Sequence, residues 1–161
     1  NGITTYSYDS LSRLVQVENG AGATVGYQYD LAGNRTGIVY PGGVGTVTQG
    51  YDTANQLKTV KDWFNHTTSF NYDKNGALTS QTYPNGVQLK MGRDAASQVI
   101  SMTQAITATP FLSVTYGHDP LGLLGTANEV GQGTDSYSYD PRHRLTGDQL
   151  TAGTAISRHW G

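Results

Sequence analysis

The sequence predicts an all-β protein built from tandem antiparallel β-hairpins of about 21 residues each. Three observations predict it: the composition, an aspartate that recurs at nearly constant spacing, and an alternation of large and small residues before each aspartate. Hydrophobic residues make up 36% of the 161 residues and charged residues 14%, while the chain has 21 Gly and 11 Tyr. Such a composition disfavours long helices and favours short strands joined by turns.

Seven of the ten aspartates occur once in each of seven successive segments, which are called repeats one to seven here. Successive aspartates are 21, 22, 21, 21, 25 and 21 residues apart, and they are Asp9, Asp30, Asp52, Asp73, Asp94, Asp119 and Asp140. A regular period is the signature of a repeat architecture. We therefore expect a single repeat array over residues 1–161, and we expect this array to be a fragment of a longer chain.

The residues before each aspartate predict the first strand of a hairpin. Tyrosine directly precedes the aspartate in five repeats, as Tyr8, Tyr29, Tyr51, Tyr72 and Tyr139. A large side chain usually stands three positions before the aspartate, with a small or polar residue between the two. This period of two predicts a strand with rings on one face and small polar groups on the other.

The residues after each aspartate predict a tight turn. A type I turn favours Asp at its first position and Pro at its second, and a residue that tolerates the left-handed conformation follows at the fourth. Pro120 and Pro141 fit the second position, and the residues that fit the fourth are Gly33, Asn55, Gly76 and Gly122. The fourth position is filled less suitably in the other repeats, by Ser12, Ser97 and His143.

A second strand is predicted to begin five residues after the aspartate. This position is apolar in six of seven repeats, and its residues are Leu14, Arg35, Leu57, Leu78, Val99, Leu124 and Leu145. Gly-rich segments such as "NGAG" (19–22) and "YPNG" (83–86) then predict a looser turn. Repeat five is the least regular, and its "SQVISMTQAI" (97–106) fits either a strand or a short helix.

Charge and composition argue against several classes of function. The net charge of −2 gives no electrostatic signature for nucleic acid or an anionic membrane surface. Cysteine is absent, the four histidines lack ligand spacing, and no Gly-rich phosphate loop is present. No metal, cofactor or nucleic-acid partner is therefore predicted. No apolar run is long enough for a membrane span, and no signal peptide is recognisable.

The repeats resemble the YD repeat, also called the RHS repeat. The segments "YDLAGNRT" (29–36), "YDKNGALTSQTYPNG" (72–86) and "YDPRHRLTG" (139–147) are close to its usual form, and the resemblance covers about residues 6–147. Arg93 and His118 replace the tyrosine in repeats five and six. The resemblance implies a curved, spiralling sheet that forms the hollow shell of bacterial polymorphic toxins, insecticidal toxin complexes and teneurins. It implies a secreted, extracellular or cell-surface protein.

The function that the resemblance implies is that of a non-enzymatic wall segment of a shell that encapsulates or presents a toxin or effector. An enclosed C-terminal toxin segment is then a partner in the parent protein. Neighbouring repeats or other copies of the chain are expected to pair with the free sheet edges, since an unpaired strand is a template for another strand.

Asp119 is the single catalytic candidate, and it is a weak one. The segment "DPLGL" (119–123) matches the motif at which shells of this family cleave off their cargo. The alternative is that Asp119 is an ordinary repeat aspartate, and this is favoured because another repeat follows 21 residues later. Autoproteolysis is therefore the weakest of the three functional hypotheses.

The second functional hypothesis is a cell-surface adhesion or carbohydrate-binding module that uses the aromatic face. Regular aromatic spacing favours cross-strand packing instead. Trp63 and Phe64 in "KDWFNH" (61–66) depart from the repeat and are a possible ligand contact, or rings folded back on the sheet. Trp160 lies after the last clear repeat, where it either caps the sheet edge or belongs to a further repeat.

Overall fold

A computed structural model describes residues 2–152 of the chain, so Trp160 lies outside the described residues. The chain divides into two compact parts, residues 1–71 and residues 72–161, which are described separately below. All regular structure in the described residues is β-strand apart from one 3₁₀ turn at Pro41–Gly43. The predicted fold class, an all-β array of antiparallel hairpins, is confirmed.

The N-terminal part is a succession of antiparallel strands in which each strand pairs with the next along the chain. The last strand ends at Tyr72, the first residue of the C-terminal part. The strands are β1 (Thr5–Tyr8), β2 (Leu14–Glu18), β3 (Thr24–Tyr29), β4 (Arg35–Val39), β5 (Thr46–Tyr51), β6 (Leu57–Lys61) and β7 (Thr67–Tyr72).

The C-terminal part continues the same pattern of sequential antiparallel pairing. Its strands are β8 (Leu78–Thr82), β9 (Val87–Arg93), β10 (Val99–Ile106), β11 (Thr109–His118), β12 (Leu124–Glu129), β13 (Gly133–Tyr139) and β14 (Leu145–Ala152). The ambiguous segment of repeat five forms strand β10. The 25-residue spacing arises because β10 and β11 are long, with eight and ten residues joined by a two-residue turn.

The repeat turns have the same backbone geometry in all seven repeats. The aspartate N–H donates to the carbonyl four residues later, and the N–H three residues later donates to the aspartate carbonyl. The fourth turn residue has φ between 59° and 91° in every repeat, at Ser12, Gly33, Asn55, Gly76, Ser97, Gly122 and His143. The three less suitable residues therefore adopt the left-handed conformation as well, because the hydrogen bonds that close the turn require it.

The residue directly before the aspartate pairs across the hairpin with the residue five positions after the aspartate. The residue before the aspartate ends one strand, and the residue five positions after it begins the next. Tyr8 lies opposite Leu14 and Tyr139 lies opposite Leu145, and a β-bulge follows one residue further into the hairpin. The closed turn sets this pairing, and the bulge adds one residue to the second strand on the side of the pair away from the turn. The apolar residue that begins the second strand is thus the cross-strand partner of the tyrosine that ends the first.

The prediction of looser turns at the opposite hairpin end is wrong for three connections. The turns that begin at Asn19, Asp62 and Tyr83 have the same pair of backbone hydrogen bonds as the repeat turns. The left-handed position is taken in all three, by Gly22, Asn65 and Gly86, with φ of 78°, 69° and 83°. Asn19 and Asp62 carry a carbonyl or carboxylate oxygen at the first turn position, and this feature could have been recognised in the sequence.

No hydrophobic side chain among the described residues is fully buried. The small residues that lie two positions before the aspartate pack closely against side chains of the neighbouring strand. A methyl group added at Gly117 would lie 2.5 Å from the Thr126 hydroxyl, and one added at Gly50 would lie 2.5 Å from the Thr59 hydroxyl. Each threonine hydroxyl thus occupies the space that a side chain on the opposite strand would need.

Candidate functional site

The repeat aspartates use their side chains to close their own turns. In six repeats the Oδ1 atom accepts the N–H groups two and four residues later, at 2.8–3.0 Å. In the remaining repeat, Asp30 accepts from the backbone N–H and the side-chain amide of Asn34. Within residues 2–152 no group of three or more acidic or histidine side chains could hold a metal ion.

These contacts hold the pKa of several aspartates below the ordinary value of 3.8. The backbone N–H of Arg13 is the main cause at Asp9, and that of Arg144 is the main cause at Asp140. The Asn34 side chain is the main cause of the lowered pKa at Asp30. Partial desolvation opposes the lowering at each of the three, but the hydrogen bonds outweigh it. The carboxylates are therefore stabilised in the charged form.

The repeat tyrosines bond one repeat to the one before it. The Tyr29 hydroxyl donates to the Leu14 carbonyl at 2.8 Å, and the Tyr51 hydroxyl donates to the Arg35 carbonyl at 2.9 Å. The Tyr139 hydroxyl donates to the Leu124 carbonyl at 2.9 Å. This contact is called the inter-repeat hydroxyl bond below. Sequence reasoning assigned only ring packing to these residues, since the acceptor is a backbone atom about 15 residues away.

Arg13 makes a second connection between repeats one and two. Its Nε atom donates to the Asp9 carboxylate at 2.7 Å, and its NH1 group donates to the Asp30 carbonyl at 3.0 Å. The guanidinium carbon lies 4.7 Å from the centre of the Tyr29 ring, which is a cation–π distance. Arg144 holds the equivalent position in repeat seven and pairs with Asp140 at 2.7 Å.

Repeats five and six lack the tyrosine, and each has a buried polar atom in its place. The Arg93 Nε and the His118 Nδ1 are buried and have no hydrogen-bond partner in the described structure. Arg93 ends β9 and His118 ends β11, the position at which Tyr29 ends β3. Within the described residues, neither side chain makes a bond equivalent to the inter-repeat hydroxyl bond.

Asp119 has the geometry of an ordinary repeat aspartate. Its Oδ1 accepts the N–H groups of Leu121 at 2.8 Å and Leu123 at 2.9 Å, and the Gly122 N–H donates to its carbonyl. Gly122 takes the left-handed position of the turn, with φ of 84°. The structure therefore places the "DPLGL" segment in a turn that matches those of the other repeats.

Trp63 and Phe64 belong to an aromatic cluster at the end of the β6–β7 hairpin. The Trp63 ring is 5.3 Å from the Tyr40 ring in an edge-to-face arrangement and 5.8 Å from Phe64. The Phe64 ring is 5.9 Å from the His66 ring, which lies beside Asp62. Trp63 is 38% exposed and Phe64 is 68% exposed. The indole is thus packed against its neighbour, while Phe64 projects into solvent.

Comparison with solved structures finds the same fold in components of toxin complexes. Crystal structures of TcdB2-TccC3-TEV and TcdB2-TccC3 each match with a TM-score of 0.76 and 20% identity over 93% of this chain. A mutant of the Photorhabdus luminescens Tc holotoxin pore matches with a TM-score of 0.76 and 19% identity over 93% of the chain. The chain spans 9% of the length of each of these structures.

Comparison with protein families covers nearly the whole chain. No curated protein matches the chain significantly. None of the helical structure in residues 2–152 has the length and apolarity that a membrane crossing requires. The model of the Teneurin YD-shell family matches residues 1–147, which include all seven repeat turns. This chain belongs to the Teneurin YD-shell family.

Proposed function

We propose that this chain is a wall segment of a YD shell that encloses or presents a toxin or effector. The observation that carries the proposal is the inter-repeat hydroxyl bond, which ties Tyr29, Tyr51 and Tyr139 to the repeat before each of them. Within each of the two parts, strand pairing and this bond together make a hydrogen-bonded layer. Stability in such an array is approximately a sum over neighbouring repeats, so the layer can be extended by adding repeats.

The proposed partners are further YD repeats, which pair with the edges of β1 and β14. Tyr8 is 61% exposed, and no described residue accepts a hydrogen bond from its hydroxyl. At the other end of the array, Arg144 makes its own Asp140 pair but has no described repeat to contact as Arg13 contacts repeat two. The β1 edge therefore offers a tyrosine hydroxyl like that of Tyr29, and the β14 edge offers an arginine like Arg13. The seven repeats are proposed to form one array within a longer, secreted or cell-surface shell protein.

Sedimentation velocity over a wide range of protein concentration tests the edge pairing. We expect association that strengthens with concentration, and we expect Tyr8→Phe to weaken it without changing the unfolding midpoint of the chain. Tyr29→Phe serves as the matched control, since its hydroxyl bond is internal and its loss should lower stability but not association. A chain that stays monomeric at every concentration would contradict the proposed edge pairing.

The proposed segment has no catalytic role, and the support for this is that the Asp119 Oδ1 closes its turn as the other repeat aspartates do. Prolonged incubation followed by mass spectrometry tests this point, and the expected result is the intact 17.2 kDa chain. Cleavage at 119–123 that is lost in Asp119→Asn would show that autoproteolysis occurs. Adhesion through the tyrosine columns is a weaker candidate, since the hydroxyls of Tyr29, Tyr51 and Tyr139 are used between repeats.

A further inference from the structure

The chain has four Asn-Gly pairs, at 1–2, 19–20, 75–76 and 85–86, and the last three lie within the described residues. An asparagine before glycine loses its side-chain amide more easily than other asparagines, because glycine has no side chain to shield its own nitrogen. Asn19 is the first residue of its turn, whereas Asn75 and Asn85 are the third residues of theirs. The three described pairs therefore share a local sequence and differ in their hydrogen bonds.

Among these three pairs, only one glycine nitrogen is free of a turn hydrogen bond. The Gly20 N–H is at the second turn position, and no described residue accepts a hydrogen bond from it. The Gly76 N–H donates to the Asp73 carbonyl at 3.0 Å. The Gly86 N–H makes the equivalent bond to the Tyr83 carbonyl, also at 3.0 Å. Each of these two bonds closes a turn and would have to break before the nitrogen could react.

The side-chain carbonyl of Asn19 is also the most strongly polarised of the three. Its Oδ1 accepts the N–H groups of Ala21 and Ala23, both at 3.0 Å. The Asn85 Oδ1 accepts one N–H group, that of Val87 at 3.1 Å. Negative charge develops on Oδ1 when a nucleophile adds to the carbonyl carbon, and N–H donors about 2.7–3.1 Å away act as an oxyanion hole. The turn that fixes Asn19 thus stabilises the transition state for loss of its amide.

We propose that Asn19 is a site of self-catalysed deamidation, which converts it to aspartate. The Gly20 nitrogen gives up its proton to water and forms a bond to the Asn19 Cγ atom. The bond between Cγ and the side-chain nitrogen breaks, and this nitrogen takes up a proton and leaves as ammonia. Water then adds to Cγ of the resulting succinimide, and the bond from Cγ to the Gly20 nitrogen breaks. The net reaction consumes water and releases ammonia, with no oxidant or reductant.

The product fits the turn, because aspartate holds the same position elsewhere in the chain. The Asp52 Oδ1 accepts the N–H groups of Ala54 at 2.8 Å and Gln56 at 2.9 Å, and these bonds are equivalent to those of Asn19. Opening of the succinimide on its other side would give isoaspartate, which adds a methylene group to the main chain. That product would disturb the pairing of β2 with β3, the strands that flank the turn. We therefore expect aspartate to be the main product in the folded chain.

The glycine that permits the reaction is required by packing. A side chain at Gly20 would overlap the backbone of Gly2. Asn19 and Gly20 are both exposed, so water reaches the reacting atoms. The reaction adds a negative charge next to Glu18 at the end of the β2–β3 hairpin. This site is independent of the proposed shell function.

Peptide mass spectrometry tests the proposal after the folded chain has been incubated in water labelled with heavy oxygen. Digestion in ordinary water ensures that the label marks only deamidation that preceded digestion. We expect Asn19 to be labelled faster than Asn75 and Asn85 by roughly tenfold or more, since a single oxyanion donor contributes about 10²–10³ to the rate of an enzyme. The same chain unfolded in guanidinium chloride is the control. Folding should accelerate the reaction at Asn19 and slow it at the other two sites.

A double variant tests whether the turn position confers the reactivity. Asp52→Asn with Thr53→Gly puts the reactive pair at the first position of a repeat turn, where Thr53 is exposed. We expect position 52 to deamidate at a rate close to that of Asn19 and so to regain aspartate. Asp52→Asn alone is the matched control and should react much more slowly, because the threonine side chain shields the attacking nitrogen. Asn19→Asp, which reproduces the product, should unfold at the same urea concentration as the unaltered chain.

Three results would overturn the proposal. The first is labelling of Asn75 or Asn85 in the folded chain that is as fast as labelling of Asn19. The second is a rate at Asn19 that is no higher in the folded chain than in the unfolded chain, because the turn would then protect the amide. The third is isoaspartate as the main product in the folded chain.

Discussion

At the residue scale, the repeat aspartate acts through the position of its oxygen more than through its charge. Asn19 begins a turn of the same kind, and its amide oxygen accepts the N–H groups of Ala21 and Ala23 at 3.0 Å. The Asp52 carboxylate makes the equivalent bonds to Ala54 at 2.8 Å and Gln56 at 2.9 Å. A neutral oxygen is therefore sufficient to close the turn.

Substitution at Asp52 distinguishes turn closure from a charged role. Asp52→Ala leaves two backbone N–H groups without their acceptor, and we expect a loss of about 1 kcal/mol in the free energy of unfolding. Asp52→Asn keeps the acceptor oxygen and should lose much less. Urea unfolding of the two variants measures the difference. Equal destabilisation by Ala and Asn would indicate that the charge itself is required.

The hydroxyl of the repeat tyrosine is a second group whose removal should lower the free energy of unfolding. Tyr29→Phe removes the bond to the Leu14 carbonyl and keeps the ring, so we expect a loss of about 1 kcal/mol. Tyr8→Phe is the matched control, since no described residue accepts from the Tyr8 hydroxyl. Chemical denaturation of dilute samples measures both variants. An effect of Tyr8→Phe as large as that of Tyr29→Phe would contradict the role assigned to the hydroxyl bond.

At the element scale, the hairpins differ in how firmly each is joined to its predecessor. The hairpins that follow Tyr29, Tyr51 and Tyr139 are tied back by a hydroxyl bond. The β9 and β11 strands end in Arg93 and His118, each with a buried polar atom that lacks a partner. A buried polar group without a hydrogen bond is destabilising. Repeats five and six are therefore expected to be the least firmly joined.

His118→Tyr should strengthen the junction between repeats five and six. By analogy with Tyr29, the new hydroxyl would donate to the Val99 carbonyl, and the unpartnered Nδ1 would be removed. We expect a gain of about 1 kcal/mol in the free energy of unfolding. Hydrogen exchange of the β10 and β11 amides should slow at the same time. His118→Phe is the control that removes Nδ1 without adding a hydroxyl, and an equal gain in both variants would exclude the hydroxyl bond as the cause.

At the scale of the whole molecule, stability depends on many local contacts because the described residues include no fully buried hydrophobic side chain. Turn closure, cross-strand pairs and inter-repeat bonds recur in successive repeats, so their small contributions accumulate. The same recurrence makes the effect of acid cumulative. The pKa values of Asp9, Asp30, Asp62 and Asp140 are all lowered.

The stability of the chain should fall in acid. A carboxyl with a lowered pKa in the folded state contributes stability above its unfolded pKa, here 3.8, and loses it as the pH falls through the folded value. We expect the thermal midpoint to be nearly constant between about pH 7 and pH 5 and to fall below about pH 4. Thermal unfolding at a series of pH values measures this. Asp9→Asn should flatten the acid limb, and a midpoint that rises in acid would contradict the prediction.

The sequence by itself determined the period, the position of each repeat turn and the two strands around it. These features depend on residues within about ten positions of each other, since alternation and turn chemistry are local. The sequence also indicated the YD-repeat family, because seven copies of one motif identify a family more specifically than a single copy does. The turns at Asn19 and Asp62 were locally encoded as well, although they were predicted to be looser.

Only the tertiary structure decided what the recurring side chains contact. The acceptor of the Tyr29 hydroxyl is a backbone carbonyl in the preceding repeat, and Arg13 reaches both its own aspartate and the next repeat. Likewise, the Trp63 ring packs on Tyr40 where Gly45 leaves room for the indole, and strand register brings Thr48 opposite Lys61. These contacts join residues that are distant in sequence. Strand register brings them together, and register cannot be predicted from the sequence of a single repeat.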